Sequence, residues 1–278
     1  LRIENSGKLS VVGTPIGNLG DLSPRGAACL AACDFIAAED TRVTAKLLNH
    51  LGIKKSMLSY HEHNRREREE LILSRILAGE HCALVTDAGM PAISDPGEEL
   101  VRACQEQGIP AEAIPGPTAF ATALALSGMP SGRFCFEGFL SVNKRGRGEH
   151  LLSLRDEQRT MLFYEAPHKL PRTLQDLSLT FGDRPLAIVR ELTKIHEQVI
   201  KTTCGEAAQQ YADGSLKGEI VLVLQGAPPK EPKQLSLEEA LSLAHAFLER
   251  GMKKSEAARR TAKESGRPKN EIYDAINR

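Results

Sequence analysis

Five short apolar runs, Leu9 to Val12, Phe35 to Ala38, Met57 to Tyr60, Cys82 to Val85 and Ala111 to Ile114, alternate with helix-like stretches through the first half of the chain. Strands separated by helices must pair in parallel, so this rhythm predicts an α/β layer with helices at about 23 to 33, 42 to 51, 64 to 78, 96 to 107 and 118 to 127. Ser23-Pro24 reads as a cap followed by a first-turn proline, and Gly52, Gly79 and Gly108 stand where helices should stop. Asp95 is expected to cap the helix after it, with Pro96 in the first turn and Glu98 completing a capping box.

After the breaker cluster Gly128-Met129-Pro130-Ser131-Gly132 the pattern changes. Strand candidates at 134 to 138, 160 to 164, 185 to 190, 196 to 203 and 219 to 224 are joined by fewer helices, and some follow one another directly. This predicts a second, mixed sheet with antiparallel pairs. Residues 226 to 234, GAPPKEPKQ, read as a linker. Three short helical segments follow, near 236 to 250, 255 to 265 and 268 to 277. The expected organisation is an N-terminal α/β domain over 1–130, a second α/β domain over 131–227 and a small helical domain over 235–278. A length of 278 residues accommodates this, and 41% hydrophobic with 26% charged residues is the composition of a water-soluble fold. No apolar run is long enough to span a bilayer, and LRIENSGKLS lacks the apolar core of a signal peptide, so a cytoplasmic protein with no membrane partner is expected. The six scattered cysteines read as buried, reduced thiols.

Four loops follow the strands of the first half: Gly13 to Asp21, Glu39 to Arg42, Thr86 to Gly97, and Pro115 to Thr118. At the carboxyl ends of parallel strands such loops form the usual small-molecule site. Glycine admits close backbone approach and proline stiffens the turn. The glycine spacing is not that of a dinucleotide fingerprint, and no Walker A sequence occurs.

In this order and with these residues, the loops resemble the tetrapyrrole methylase superfamily of S-adenosylmethionine-dependent enzymes. More closely they resemble its ribosomal branch, which methylates the ribose 2′-oxygen of a cytidine in the decoding region of bacterial 16S rRNA. The matching segments are TPIGNLGD (14–21), AAEDTR (37–42), TDAGMPAISDPG (86–97), PGPTA (115–119), FCFEGFL (134–140), FYEAPHKL (163–170), RELTKIHE (190–197) and KGEIVLVL (217–224). Coverage runs from about residue 9 to 226, with a further match in the tail. Val43 stands where the family often has histidine, Met90 where threonine is usual, and Ser141-Val142 where a proline tends to lie.

The resemblance implies two tetrapyrrole-methylase α/β domains with S-adenosyl-L-methionine folded in the cleft between them. Pro15, Gly17, Asp87, Ala88, Gly89, Pro91, Ser94, Asp95, Pro117 and Thr118 would hold it from the first domain. Phe163, Tyr164, Glu165, Ala166, Glu219, Ile220 and Val221 would wall in the adenine from the second. Methyl transfer to a hydroxyl needs alignment and a place for the proton. Candidates in matched motifs are Glu39, Asp40, Arg42, Glu165, Arg190, Glu191 and Lys194. Each also has a structural reading: Asp40 or Thr41 as a helix cap, Arg190 and Glu191 as an interdomain salt bridge. The resemblance further implies a homodimer.

Lys+Arg 36 against Asp+Glu 36 leaves no net charge, so an RNA partner must be met by local patches. Lys144-Arg145-Gly146-Arg147-Gly148 reads as a basic loop for phosphate contact. Arg65, Arg66 and Arg68, interleaved with Glu67, Glu69 and Glu70, read as a solvated helix face. Lys253, Lys254, Arg259, Arg260, Lys263, Arg267 and Lys269 surround two short helices joined by Gly266, a helix-turn-helix-like element for positioning 16S rRNA or the small ribosomal subunit, or alternatively a dimer-stabilising tail. His61-Glu62-His63 lacks further metal ligands, and His168 and His196 are substrate-facing or structural. Two rival functions are a tetrapyrrole C-methyltransferase of the corrin or sirohaem pathway and a non-catalytic ribosome-assembly RNA-binding factor.

Overall fold

The computed structural model describes residues 7–229 and 235–277. The leader reading of residues 1–6 and residues 230–234 of the expected linker lie outside the described residues. One compact unit runs to Ala227 and a second begins at Pro228.

In the first unit β1 (Lys8–Val12), α1 (Pro24–Ala32), β2 (Phe35–Ala38), α2 (Thr41–His50), β3 (Ser56–Ser59), α3 (Arg65–Leu77), β4 (His81–Val85), α4 (Glu98–Glu106), β5 (Ala111–Ile114) and α5 (Ala119–Ser127) alternate as the sequence predicts. The five strands form one sheet, all parallel, in the order β3-β2-β4-β1-β5. Its central strands β2 and β4 are apolar runs because both faces are covered, whereas the edge strands β3 and β5 stay largely open. Cys82 and Leu84 of β4 pack with Ile72, Ile76 and Leu100 of α3 and α4, while Ala83 and Val85 meet Leu30, Leu47 and Leu48 of α1 and α2. Each fully buried leucine or isoleucine of this kind stabilises the fold by roughly 1.5–3 kcal/mol. The Ser23 hydroxyl accepts from Gly26 N at 3.0 Å and Pro24 opens α1.

β1 and β4 are neighbours, yet the chain leaves β1 toward β2 on one side and leaves β4 toward β5 on the other. Such a reversal opens a crevice at the carboxyl edge of a parallel sheet. The turns that follow these two strands therefore flank the crevice.

A second sheet is built from β6 (Phe134–Phe139), β7 (Thr160–Glu165), β8 (Pro185–Arg190), β9 (Gln198–Thr203) and β10 (Ile220–Leu224), in the order β6-β7-β10-β8-β9. It is mixed, as expected: β6 and β7 are parallel and the other pairs antiparallel. Helices are fewer than in the first half, as expected, and the three that accompany it were not placed from sequence: α6 (Lys144–Ser153), α7 (Leu170–Phe181) and α8 (Cys204–Gln210). Local capping explains two of them. Asn143 accepts from Arg145 N and Gly146 N to start α6, and a Thr203–Glu206 capping box turns the strand β9 directly into α8.

Consequently KRGRG is not a loop but the first turn of α6, and Arg147 is only 4% exposed, paired with Asp176 of α7 at 2.6 Å. That guanidinium is committed to packing α6 on α7 and is withdrawn from phosphate contact. Removing one partner of a buried pair leaves the other charge desolvated. Asp176→Ala is expected to cost about 2 kcal/mol in urea unfolding, less than the roughly 3–5 kcal/mol of a fully buried pair because Asp176 is itself a third exposed.

Side chains alternate across the second sheet. Met161, Phe163, Leu186, Ile188, Leu222 and Leu224 join α7 in one core, whereas Leu162, Ala187, Val189, Val221 and Val223 pack with Ala123 and Leu124 of α5. The last helix of the parallel half thus covers the second sheet, which explains why AFATALALS is apolar nearly all round.

The second unit holds α9 (Leu237–Glu249), α10 (Lys254–Ser265) and α11 (Lys269–Ile276) around Ala244, Ala258 and Ile272. Gly266 ends α10 with φ +69°. Part of the predicted basic cluster is structural: Arg267 donates to Leu235 O at 2.8 Å and to Glu271 at 2.5 Å, and Arg260 lies over the Phe247 ring. Lys253, Arg259, Lys263 and Lys269 are exposed. All six cysteines are free and five are buried. Among the described residues no helix is long and apolar enough to cross a membrane.

Candidate active site

The turns after β1, β4 and β5 are knitted together by backbone. Thr14 and Gly89 exchange hydrogen bonds of 2.9 and 3.1 Å, the Thr14 hydroxyl donates to Thr86 O at 3.1 Å, and Gly13 N donates to Ile114 O at 3.0 Å. Gly13 and Gly116 touch backbone to backbone. A Cβ on Gly13 would lie 2.7 Å from Gly116 Cα, and one on Gly116 would lie 2.8 Å from Gly13 Cα. Gly17, with φ +158°, packs against the Leu192 to Lys194 segment of the second sheet. Gly138, at a bulge in β6, approaches the Ser94 hydroxyl. The second sheet is thereby drawn over the crevice of the first.

Between them lies a cavity of about 350 Å³. Of the residues expected to hold a cofactor, Ala88, Gly89, Asp95, Thr118, Tyr164, Glu165, Ala166, Glu219, Ile220 and Val221 line it. Pro117 lines an adjoining recess with Gly116 and Thr193. Pro15, Gly17 and Pro91 belong to the framing turns and do not line the cavity, and Ser94 lines a neighbouring one. Phe163 is a correction: β alternation sends its fully buried ring to the opposite face, into the α7 core, while Tyr164 faces the cavity.

Ile16, Ile93, Ala119, Phe120, Phe139, Pro167 and Leu192 also line the cavity, as does Met90, a departure from the family that lies within the Asp87 to Pro91 stretch expected to hold the cofactor. The signal for Ala119 and Phe120 was present in α5, whose all-round apolar character requires cover on more than one side. The Tyr164 hydroxyl accepts from Phe120 N at 3.2 Å, and Phe136 stacks on Phe120 at 4.6 Å and meets Tyr164 edge-on at 4.9 Å. One wall is therefore aromatic and apolar, and the opposite wall is turn backbone with a carboxylate.

That carboxylate belongs to a group at the ends of β2 and β4. Glu39 accepts from the Thr86 hydroxyl at 2.5 Å and from Asp87 N at 3.2 Å, and Asp87 accepts from Asp40 N at 3.1 Å. Burial raises the Asp87 carboxyl above the usual range, with Glu39 adding to the shift. Asp95 is pushed up to about 6, by burial first and then by Glu39. Its expected capping role is not realised. The helix starts later, behind Gly97 with φ +139°, because Ala92 and Ser94 take φ of 67° and 63° in the turn, and Glu98 pairs with Arg102 instead of closing a capping box. Asp95 interacts with Thr86 instead.

The remaining candidates divide by partner. Asp40 caps α2 through Arg42 N at 2.8 Å and pairs with the Arg42 side chain, which holds its carboxyl down at about 2. Glu165 is buried, accepting from Ala166 N and from the Thr173 hydroxyl, with its carboxylate satisfied by α7. Arg190 donates to Lys217 O at 2.8 Å and does not pair with Glu191. Glu191, at φ +52°, accepts from Lys194 and from Glu219 N, and the Lys194 bond holds its carboxyl below the usual range. Lys194 also reaches Glu219 at 3.1 Å. These contacts brace the RELTKIHE turn against the strand that lines the cavity.

A family model of tetrapyrrole (corrin/porphyrin) methylases matches residues 8–208. Proteins named ribosomal RNA small subunit methyltransferase I are similar over nearly the whole chain: that of Synechocystis sp. is 46% identical, covering 96% of each chain, and that of Xylella fastidiosa 43%, covering 96% of this chain and 98% of its own. The crystal structure of uroporphyrin-III C-methyl transferase from Thermus thermophilus, complexed with S-adenyl homocysteine, shares the fold with a TM-score of 0.56 at 20% identity, over 79% of this chain and 97% of that one. The chain belongs to the tetrapyrrole methylase family, in the branch of the ribosomal RNA small subunit methyltransferase I proteins.

Proposed function

We infer that this chain transfers a methyl group from S-adenosyl-L-methionine to the ribose 2′-hydroxyl of a cytidine in bacterial 16S rRNA. The observation that carries this reading is the convergence of the turns after β1, β4 and β5 on one cavity closed by the second sheet, in a chain 46% identical to a named ribosomal methyltransferase. The cavity suits the cofactor. Its volume of about 350 Å³ is in the range of small-molecule sites. Gly13 and Gly116 meet so closely that a Cβ on either would force apart the turns that frame the crevice, and backbone groups offer the fixed hydrogen bonds a rigidly held donor needs. Ala88, Gly89, Thr118, Ala166 and Val221 would hold it, with Tyr164 and Phe120 as the apolar wall. When bound, S-adenosylmethionine supplies an electrophilic methyl on a sulfonium. The protein's part is to orient acceptor and donor, exclude water and receive the hydroxyl proton.

Incubation with labelled cofactor and unmethylated small subunits tests the reading: ribose-methylated cytidine is expected, and label transferred to a uroporphyrinogen instead would overturn it. Exposed cations of the second unit, Lys253, Arg259, Lys263 and Lys269 among them, suit contact with RNA phosphate. Removing residues 228–278 is expected to leave cofactor affinity unchanged in calorimetry and to reduce methylation of subunits at least tenfold. A homodimer in the cytoplasm completes the reading, with sedimentation at micromolar concentration as the measure of the pair.

A further inference from the structure

A second cavity, of about 520 Å³, lies beside the first. Its walls come from Glu39 after β2, from His61 and His63 between β3 and α3, from Arg65 at the start of α3, and from the turn ahead of α4 with that helix's first residues. Among the described lining residues Asp95 alone belongs to both cavities, so its carboxyl stands at their common wall. That wall contains Ala92 and Ser94, both at positive φ, a strain that persists only where the surrounding structure enforces it.

The two cavities differ in chemistry. The first is mainly aromatic, aliphatic and backbone, whereas the second is lined largely by polar and titratable side chains. Arg65 pairs with Glu99 at 2.5 Å and Glu98 with Arg102, and Glu39 is held by the Thr86 hydroxyl. The His61 and His63 rings lie 6.0 Å apart, inclined at 67°. Carboxylates accept from hydroxyl donors, and histidine faces stack on unpaired bases. A ribonucleoside carries both features.

We propose that this second cavity seats the acceptor ribonucleoside, its unpaired base against His61 and His63, and that Asp95 receives the ribose hydroxyl proton at the wall between the cavities. The proposal rests on the methyl-transfer reading above. In the step, the O–H bond breaks, the proton passes to a carboxylate oxygen of Asp95, and the electron pair stays on the ribose oxygen, which becomes the nucleophile. A base works best when its pKa lies near the operating pH. Asp95, at about 6, is ionised at neutral pH yet more basic than an ordinary carboxylate. The groups around it are Glu39 from β2, Thr86 and Asp87 after β4, Tyr164 from β7, His61, Glu62, His63 and Arg65 across the cavity, and Glu98 and Glu99 at the start of α4.

The full chain is tested with unmethylated small subunits, by rate measurement, filter binding and cofactor calorimetry. The double variant His61→Ala/His63→Ala is expected to bind subunits at least tenfold more weakly with cofactor Kd within twofold, which also reports that it folds. Asp95→Asn is expected to lower kcat at least 100-fold, keep subunit Kd within threefold and abolish the rise of kcat between pH 5 and 7, and Asp95→Glu to restore part of that rise. Wild-type subunit affinity in the double variant, or an unaltered acid limb in Asp95→Asn, would overturn the proposal alone. A wild-type chain that transfers no methyl to subunits would overturn the functional reading and the proposal together.

Discussion

Gly116→Ala is expected to cripple cofactor binding, raising the Kd for S-adenosylmethionine at least 100-fold in calorimetry, equivalent to about 2.8 kcal/mol. The reason is steric and local. The new methyl would sit 2.8 Å from the Gly13 Cα and 2.9 Å from its carbonyl oxygen, both backbone atoms with no rotamer to escape into. The turns after β1 and β5 must then separate, and the Thr14–Gly89 bridge beside them is strained. Overpacking of this kind costs about 1–3 kcal/mol in stability, so the protein still folds and the loss of affinity is measurable on folded material. Gly52→Ala is the control. Its φ of +68° carries a backbone cost, but nothing lies within 4 Å of the added carbon, so cofactor affinity stays at the wild-type value.

Asp95→Asn is expected to move stability and activity in opposite directions. Burial and then Glu39 push the wild-type carboxyl up from the ordinary 3.8 to about 6 in the fold, so the folded state holds the proton more tightly. The stability this lends is present below pH 3.8 and is lost as pH rises through about 6, leaving an ionised carboxylate penalised by burial and by Glu39. Asparagine removes that charge. At pH 8 the variant is expected to be about 1–2 kcal/mol more stable in urea unfolding without cofactor, with the gain vanishing below pH 4. Methylation of small subunits is expected to fall at least 100-fold. A variant less stable than wild type at pH 8 would show that Thr86 and its surroundings reward the charge instead of merely tolerating it. A gain of stability bought with loss of function is expected where a site keeps a strained or poorly solvated group for chemistry.

Much of the first sheet was legible because its signals are local. Five apolar runs of four or five residues, the Ser23-Pro24 start and the glycines at 52, 79 and 108 each report a short-range constraint, and the parallel order follows from strands separated by helices. The second half was legible as strands and less so as helices, since α6 begins in a glycine-containing basic run and α8 grows out of a strand through the Thr203–Glu206 box. Asp95 misled for the same kind of reason. Its sequence context is that of a capping residue, but the turn's positive φ at Ala92 and Ser94 carries the helix start beyond Gly97.

The site follows the same division. The turns at 13–21, 86–97 and 115–118 could be listed in advance, because glycine and proline mark where backbone must bend or approach closely whatever surrounds it. Which side chains face the cavity depended on contacts between distant segments: Phe163 turned away, Arg147 was sequestered by Asp176, Glu191 and Lys194 paired with one another, and His61 and His63 came to line one cavity with Glu39 and Asp95. The sequence by itself determined the two α/β sheets, the family and the position of the binding turns, since propensity, period and turn chemistry act between near neighbours. Only the tertiary structure decided which carboxylate lies between two cavities and carries a raised pKa, because burial and charge proximity are properties of residues that meet across the fold, not along the chain.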